Sequence, residues 1–251
     1  MQENKNRIMA HLIAGYPDLE TSYKIAEILI ESGVSALEIQ FPFSDPSADG
    51  PAIQKASAIA LEKGFKVNQG FEFVKRIKTY KNIPVFIMTY GSIVYTGGVE
   101  NFVRQAASSG AEGLIIPDLP FDYDEGLYQL CRSAEIECVP VLVPSMTKSR
   151  IEKVIELKTR CIYAALRSGT TGVKTEIDRQ CKEFLSVIRS LCRSNVEIMA
   201  GFGLRTREQI TALEGLADYY IVGSALVMII DEIQKEDRAD TAIGYYIKSL
   251  I

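Results

Sequence analysis

Two carboxylates stand where chemistry is easiest to build. Glu38 lies inside the apolar run Ser35-Ala36-Leu37-Glu38-Ile39-Gln40, and Asp49 lies in the segment that follows, Phe41-Pro42-Phe43-Ser44-Asp45-Pro46-Ser47-Ala48-Asp49-Gly50-Pro51. The run predicts a buried strand, and the Pro- and Gly-rich segment a rigid loop at its end. A carboxylate in an apolar strand is costly unless it is paired or used, because burial disfavours its charged form. Two carboxylates in different environments beside one cleft can divide acid and base roles. On the residues alone, an ion-paired core position remains the other reading of Glu38.

The rest of the chemistry is sparse. His11 is the only histidine, so any histidine base or zinc ligand would have to be this one. It has no Asp or Glu at metal spacing and reads as a core or pocket-lining residue rather than a catalytic one. A carboxylate mechanism without metal or organic cofactor is therefore the expectation. Gly201-Phe202-Gly203 and Gly223-Ser224 each follow a predicted strand. Such glycines let backbone N–H groups approach an anion, and a helix starting at Ser224 would aim its positive end at it. Arg167-Ser168-Gly169-Thr170-Thr171-Gly172-Val173 reads as a loop able to close over a ligand.

The elements that must position these residues alternate. Candidate strands are Ile8–Ala14, Ser35–Phe41, Pro84–Thr89, Gly113–Pro117, Glu137–Val143, Cys161–Leu166, Val196–Ala200 and Tyr219–Val222. Amphipathic patterns lie between them, the first capped by Asp18 and ended by Gly33, and an extra one at Pro51–Lys63 lengthens the second connection. Parallel neighbours need crossover connections, and runs apolar on both faces, such as Gly113-Leu114-Ile115-Ile116, mean burial on both sides. Eight such units predict an α/β fold of the (β/α)8 TIM barrel type, one domain over residues 1–251. An open doubly wound sheet is disfavoured because no GxGxxG follows the first strand. Barrel sites form at the C-terminal strand ends. Those ends collect Glu38, Asp49, Tyr90, Asp118, Tyr163, Arg167, the Gly201–Gly203 segment and Gly223-Ser224.

Composition adds exclusions. With a net charge of −4, a pI near 5.3 and spread basic residues, nothing points to nucleic acid or an anionic membrane. The five cysteines show no CxxC or metal spacing and read as free thiols of a reducing, cytoplasmic compartment.

Phe43-Ser44-Asp45-Pro46 with Ala48-Asp49-Gly50-Pro51 resembles the signature of the tryptophan synthase alpha subunit family. The likeness continues through Ala14-Gly15-Tyr16-Pro17-Asp18, Pro117-Asp118-Leu119-Pro120, the Arg167–Gly172 segment, Gly201-Phe202-Gly203 and Gly223-Ser224-Ala225, so it spans essentially the whole chain. The resemblance implies a barrel that cleaves indole-3-glycerol phosphate to indole and glyceraldehyde 3-phosphate by a retro-aldol reaction. It implies an αββα assembly with a beta subunit that carries pyridoxal phosphate, and no cofactor in this chain. It makes Glu38 the general acid/base and Asp49 the acceptor of the indole N–H. Ile53, Tyr90, Tyr163 and Phe202 would line the pocket. Gly172, Gly201, Gly203, Gly223 and Ser224 would hold phosphate. Thr171 would sit on the closing loop and orient Asp49. Asp45, Pro46, Ser92 and Asp118 would face the beta subunit.

Against the family pattern, Gln40 replaces a glycine, His11 a phenylalanine, Ile13 a threonine and Ser92 an asparagine, and the segment before the first strand is short. Gln40 is expected to crowd the pocket or to bond Glu38. His11 and Ile13 are expected to add a polar group and remove a hydroxyl at the indole site. Two readings stay open: a working lyase, and an impaired one kept as an allosteric activator of the beta subunit. The Gln40, His11 and Ile13 cluster is what separates them.

Overall fold

The computed structural model of the chain describes residues 7–166, 177–192, 195–233 and 239–251. Nine parallel strands form one sheet: β1 Arg7–Ile13, β2 Ala36–Gln40, β3 Val85–Met88, β4 Gly113–Ile115, β5 Glu137–Val139, β6 Val141–Leu142, β7 Cys161–Ala165, β8 Glu197–Gly201 and β9 Tyr219–Val222. Their order is β5-β4-β3-β2-β1-β9-β8-β7-β6. The two ends of that order are adjacent in sequence, separated by Pro140 alone. Proline has no N–H to give a ladder, so the predicted fifth strand is divided there. Its first half pairs β4 and its second half pairs β7, while the Pro140 carbonyl accepts from Tyr163 N at 3.0 Å. The sheet thus closes into the expected eight-unit barrel.

Alternation along each strand separates two apolar layers. Met9, Phe86, Met88, Ile115, Val139, Tyr163, Met199 and Ile221 fill the barrel. Ile8, Ala10, Leu12, Leu37, Ile39, Val85 and Ile87 face outward into the helical layer. At the N-terminal end of the barrel, the Arg7 guanidinium lies 3.7 Å from the centre of the Tyr219 ring and pairs with Glu197 at 2.7 Å.

The helices are α1 Leu19–Glu31, α2 Pro51–Glu62, α3 Val67–Tyr80, α4 Gly91–Thr96, α5 Val99–Ser109, α6 Leu127–Ser133, α7 Lys148–Ile155, α8 Arg179–Leu191, α9 Arg207–Thr211, α10 Ser224–Ile233 and α11 Ala239–Leu250. Asp18 caps α1 by accepting from Thr21 N at 2.9 Å, as its position predicts. Proline opens α2 where its missing N–H costs nothing, and Ile53, Ala56, Ser57 and Ala60 give it one buried face. Helix α6 starts at Leu127, after Glu125 and Gly126, which both take left-handed backbone at φ 48° and 83°. The short helix α4 was not anticipated. The segment before Arg7, expected to lack a full helix, lies outside the described residues. No described helix is long and apolar enough to cross a membrane. All five cysteines are free thiols.

The loop that carries Asp49 is anchored at its root by Phe41, fully buried among Phe65, Phe71 and Phe102 at ring-centre distances of 6.2, 5.2 and 6.3 Å. Gly70 of α3 makes room for this ring; a Cβ there would lie 2.6 Å from its nearest atoms. Gly70→Ala should therefore destabilise the protein by about 1–3 kcal/mol through overpacking, against the gain of roughly 1 kcal/mol that alanine brings to a helix. Urea unfolding tests this, and a midpoint equal to or above that of the parent would overturn the packing argument.

Candidate active site

Strand register makes the first contact of the site. In the β1–β2 pair His11 lies opposite Glu38, and Ile13 opposite Gln40. His11 and Glu38 are both inward positions, and their side chains meet: His11 Nδ1 is 3.1 Å from Glu38 Oε2, with 6% and 3% of the two side chains exposed. On the other flank, β9 pairs β1 up to Ala10↔Val222, which brings Gly223 beside His11. A Cβ on Gly223 would sit 3.2 Å from the His11 Cβ, so the glycine leaves space for the imidazole.

Asp49 joins from the loop before α2. It is buried, and its Oδ2 accepts from Gln40 Nε2 at 2.7 Å. The same amide nitrogen reaches Ser57 Oγ of α2 at 3.4 Å. The Asp49 carbonyl accepts from Gln54 at 2.8 Å. Tyr90 steadies this loop from outside the cavity: its hydroxyl accepts from Ala48 N at 3.2 Å, and its ring stacks on Phe43 with centres 5.3 Å apart. Two buried polar atoms in this group, His11 Nε2 and Gln40 Oε1, have no hydrogen-bond partner among the described residues.

The electrostatics follow from burial and proximity. Burial pulls the His11 imidazole down, but the Glu38 charge and hydrogen bond, with the Asp49 charge, outweigh it and hold the group above its ordinary value. Burial pushes the Asp49 carboxyl up, and the opposing His11 charge and Gln40 hydrogen bond do not fully reverse it. Burial, reinforced by Glu38 and Asp49, raises the Tyr163 hydroxyl far enough to keep it neutral.

These groups open on a cavity with about 520 Å³ of empty space, mouth included, lined also by Ala48, Ile53, Met88, Ile115, Pro117, Val141, Tyr163, Phe202, Gly203, Ile221, Gly223 and Ser224. Its far end is a backbone cradle. Phe202 and Gly203 take φ of 75° and 86°; for phenylalanine this left-handed geometry is costly and persists where surroundings impose it. Gln209 does part of that, donating to the Gly203 carbonyl at 3.3 Å and accepting from Arg205 N and Thr206 N at 2.8 and 3.1 Å. Helix α10 begins at Ser224, and the Gly223 carbonyl takes its first turn at 3.0 Å from Val227 N. First-turn N–H groups without helical acceptors then point outward, as anion binding requires.

Of the expected site residues, Glu38, Asp49, Ile53, Tyr163, Phe202, Gly203, Gly223, Ser224 and His11 come together around this cavity. Gly201 and Tyr90 stand behind it. Gly201 provides the gap filled by the Tyr163 hydroxyl, which a Cβ would strike. Gln40 bonds Asp49, not Glu38, so that expectation is corrected; its side chain extends past the strand end toward the loop. Ile13 belongs to the core of the helical layer and not to the cavity lining. Asp45 and Pro46 border a separate outer groove with Phe43, Gln54 and Lys55. Ser92 is exposed on α4, and Asp118 accepts from Gly91 N at 2.9 Å, fixing the start of that helix. Arg167, Thr171 and Gly172 lie outside the described residues. The apolar wall of Met88, Ile115, Val141 and Ile221 was not singled out from the sequence, although inward alternation at the strand ends marks each one. Among the described residues no group of three His, Cys, Asp or Glu side chains could hold a metal.

Comparison with known proteins decides the family: the sequence profile described as "Tryptophan synthase alpha chain" matches residues 1–248. The chain belongs to the tryptophan synthase alpha chain family. It is similar to the tryptophan synthase alpha chain of Helicobacter hepaticus, 35% identical over 240 residues, which are 93% of this chain and 89% of that one. Its backbone resembles a structure of Mycobacterium tuberculosis tryptophan synthase, with a TM-score of 0.88, 29% identity, and 98% and 91% of the two chains covered. It also resembles a chain of a tryptophan synthase complex from Pyrococcus furiosus, with a TM-score of 0.87, 30% identity, and 97% of each chain covered. The barrel, the family and the carbon–carbon lyase activity expected from the motifs therefore stand. The impaired regulatory subunit is not favoured.

The Gln40–Asp49 contact yields a pH test. The hydrogen bond favours the charged form of Asp49, so removing it removes an influence that lowers the carboxyl. Gln40→Met, similar in size but without the donor, should move the acid limb of kcat/KM for indole release to higher pH. An unmoved limb would show that Gln40 does not set the Asp49 charge.

Proposed function

We propose that this chain cleaves indole-3-glycerol phosphate with Glu38 and Asp49 as its two working carboxylates, within an αββα assembly. The observation that carries this reading is their convergence, from a strand and from a rigid loop, on one apolar cavity whose other end is an anion cradle. The chain would act as one cytoplasmic barrel domain.

The cavity would take the substrate end by end. The phosphate would rest on the N–H groups around Gly203, Gly223 and Ser224, helped by the dipole of α10. The flat indole would lie against Ile53, Met88, Ile115, Val141 and Ile221. Asp49 would accept the indole N–H. A carboxylate offers about four acceptor sites, so the Gln40 bond leaves capacity for it. Glu38 would protonate indole C3 and take the proton of the adjacent glycerol hydroxyl. The bond between C3 and that carbon then breaks, its electron pair returning to the indole and the hydroxyl carbon becoming the aldehyde. Asp49 would stabilise the positive charge that grows on the ring nitrogen, an electrostatic contribution strengthened by the dry surroundings.

Asp45, Pro46, Ser92 and Asp118 lie around the same end of the barrel and would face the beta subunit. The Pyrococcus furiosus relative, solved as a tryptophan synthase complex, supports that arrangement. Pyridoxal phosphate chemistry would belong to the partner. Nothing in this chain's cavity calls for it, since the carboxylates account for every proton moved.

The deciding experiment is indole release from indole-3-glycerol phosphate, measured with the chain alone and with its beta subunit. Release that rises with the partner is expected. Glu38→Gln should lower kcat by about 10²–10⁴-fold with little change in KM. Retained turnover in that variant would remove Glu38 from the mechanism.

A further inference from the structure

His11 was expected to be a bystander, and its surroundings argue otherwise. It is the only histidine in the chain. Strand register places it opposite Glu38. Its Nδ1 is within hydrogen-bond distance of Glu38 Oε2, both side chains are buried, and both line the cavity. An ionised carboxylate has no proton to donate, so a hydrogen bond at this contact requires a proton on one member or the other. The opposite ring nitrogen, Nε2, is buried and has no hydrogen-bond partner among the described residues. Gly223 leaves room for the ring: a Cβ there would lie 3.3 Å from two of its carbons.

We propose that His11 and Glu38 form a dyad that holds one proton between Nδ1 and Oε2, with His11 as the positioning residue for the carboxylate that carries out the cleavage. The proposal rests on the lyase reading of Glu38 given above. The reaction suits such a pair because it consumes and returns one proton. The dyad delivers to indole C3, through Glu38, the one proton it carries beyond the N–H of neutral imidazole. Glu38 then takes the proton of the glycerol hydroxyl as the carbon–carbon bond breaks, and the dyad ends with the proton count it started with. Between these steps neutral imidazole, its remaining N–H at Nδ1, keeps one carboxylate oxygen fixed, so that the other is presented to the substrate. Nε2 remains free to meet a polar atom of the ligand.

The groups that face His11 set the pH behaviour. Glu38 and Gln40 come from β2 and Asp49 from the loop before α2; Tyr163 of β7 shares the cavity and stays neutral; Gly223 and Ser224 at the end of β9 and start of α10 bring no charge. Both carboxylates favour imidazolium. The dyad therefore keeps its proton to a higher pH than an isolated histidine, whose ordinary value is near 6.5, and loses it as pH rises beyond. The apparent value belongs to the pair rather than to either residue.

The single histidine makes the test direct. In the full chain labelled with 15N-histidine, the one imidazole should titrate above pH 6.5, and Glu38→Gln should move that midpoint to lower pH. A midpoint indifferent to Glu38→Gln would overturn the dyad, whether or not the lyase reading holds. Kinetics supply the second readout. His11→Asn retains a donor near Nδ1 but cannot titrate, and His11→Phe fills the same space without a donor. Both should move the basic limb of kcat to lower pH, because the proton then rests on a carboxyl alone. Both should lower kcat at pH 7.5 by roughly tenfold to a hundredfold, with His11→Asn the less affected and KM little changed in either. Unaltered limbs, or a loss confined to KM, would leave His11 a packing residue and sink the proposal. A misfolded His11→Phe is identified by its circular dichroism, and the Glu38→Gln titration then decides. If no variant and no parent releases indole, the lyase reading has failed, while the titration still reports on the pair.

Discussion

The site depends on holding two buried carboxylates, Glu38 and Asp49, in one apolar barrel. Two like charges 4 Å apart repel by on the order of 4 kcal/mol at an effective dielectric near 20, and each also loses hydration. The chain meets this with neighbours chosen by strand register rather than by sequence proximity. His11 reaches Glu38 across β1 and β2. Gln40, two residues further along the same strand, reaches Asp49 on the loop. Each carboxylate thus has its own polar partner, and the imidazolium charge acts on both. A slip of one residue in that register would turn His11 out of the barrel and leave Glu38 buried and unpaired.

That dependence explains why so much packing converges on the segment between Phe41 and Gly50. Phe41 is held by an aromatic cluster and admitted by Gly70. Tyr90 stacks on Phe43 and meets the backbone of Ala48. Gln54 of α2 holds the Asp49 carbonyl. A loop free to move would let water reach Asp49 and weaken the interactions that its charge makes. Rigidity here is part of the chemistry, because the carboxylates must meet a substrate whose reacting atoms lie within a few ångströms of each other.

Much of this was legible in the sequence, and the limits are instructive. Alternating apolar runs and helical patterns gave the barrel, since few other closed arrangements bury parallel strands on both faces. Glu38 and Asp49 stood out because carboxylates are rare in such surroundings. The glycines after β8 and β9 could be read as an anion cradle because their position in the barrel was already known. What could not be read was which polar side chain meets which. Gln40 and Glu38 share a strand face, and proximity along the chain suggested that they would bond. The Gln40 side chain instead reaches forward to Asp49, a contact between a strand and a loop whose path the sequence does not encode locally. Likewise Ile13 occupies a position near the site in sequence but packs into the helical layer, where the end of β1 meets the helices. Pro140 was visible as a residue, yet its effect of splitting one barrel strand between two partners follows only from closure of the sheet.

The division of the cavity into a charged end, an apolar middle and a backbone cradle also bears on how binding energy is used. The cradle at Gly203, Gly223 and Ser224 touches nothing that reacts. In the proposed reading it would hold the phosphate end of the ligand and so help to fix the ring against Asp49 and the adjacent carbon against Glu38. Binding energy gained away from the chemistry is then available to fix orientation at the reacting atoms. The cradle and the dyad are mechanically joined, because Gly223 belongs to the cradle and lies against His11. The glycine lining and the proposed dyad thus meet at one packing contact, Gly223 against His11.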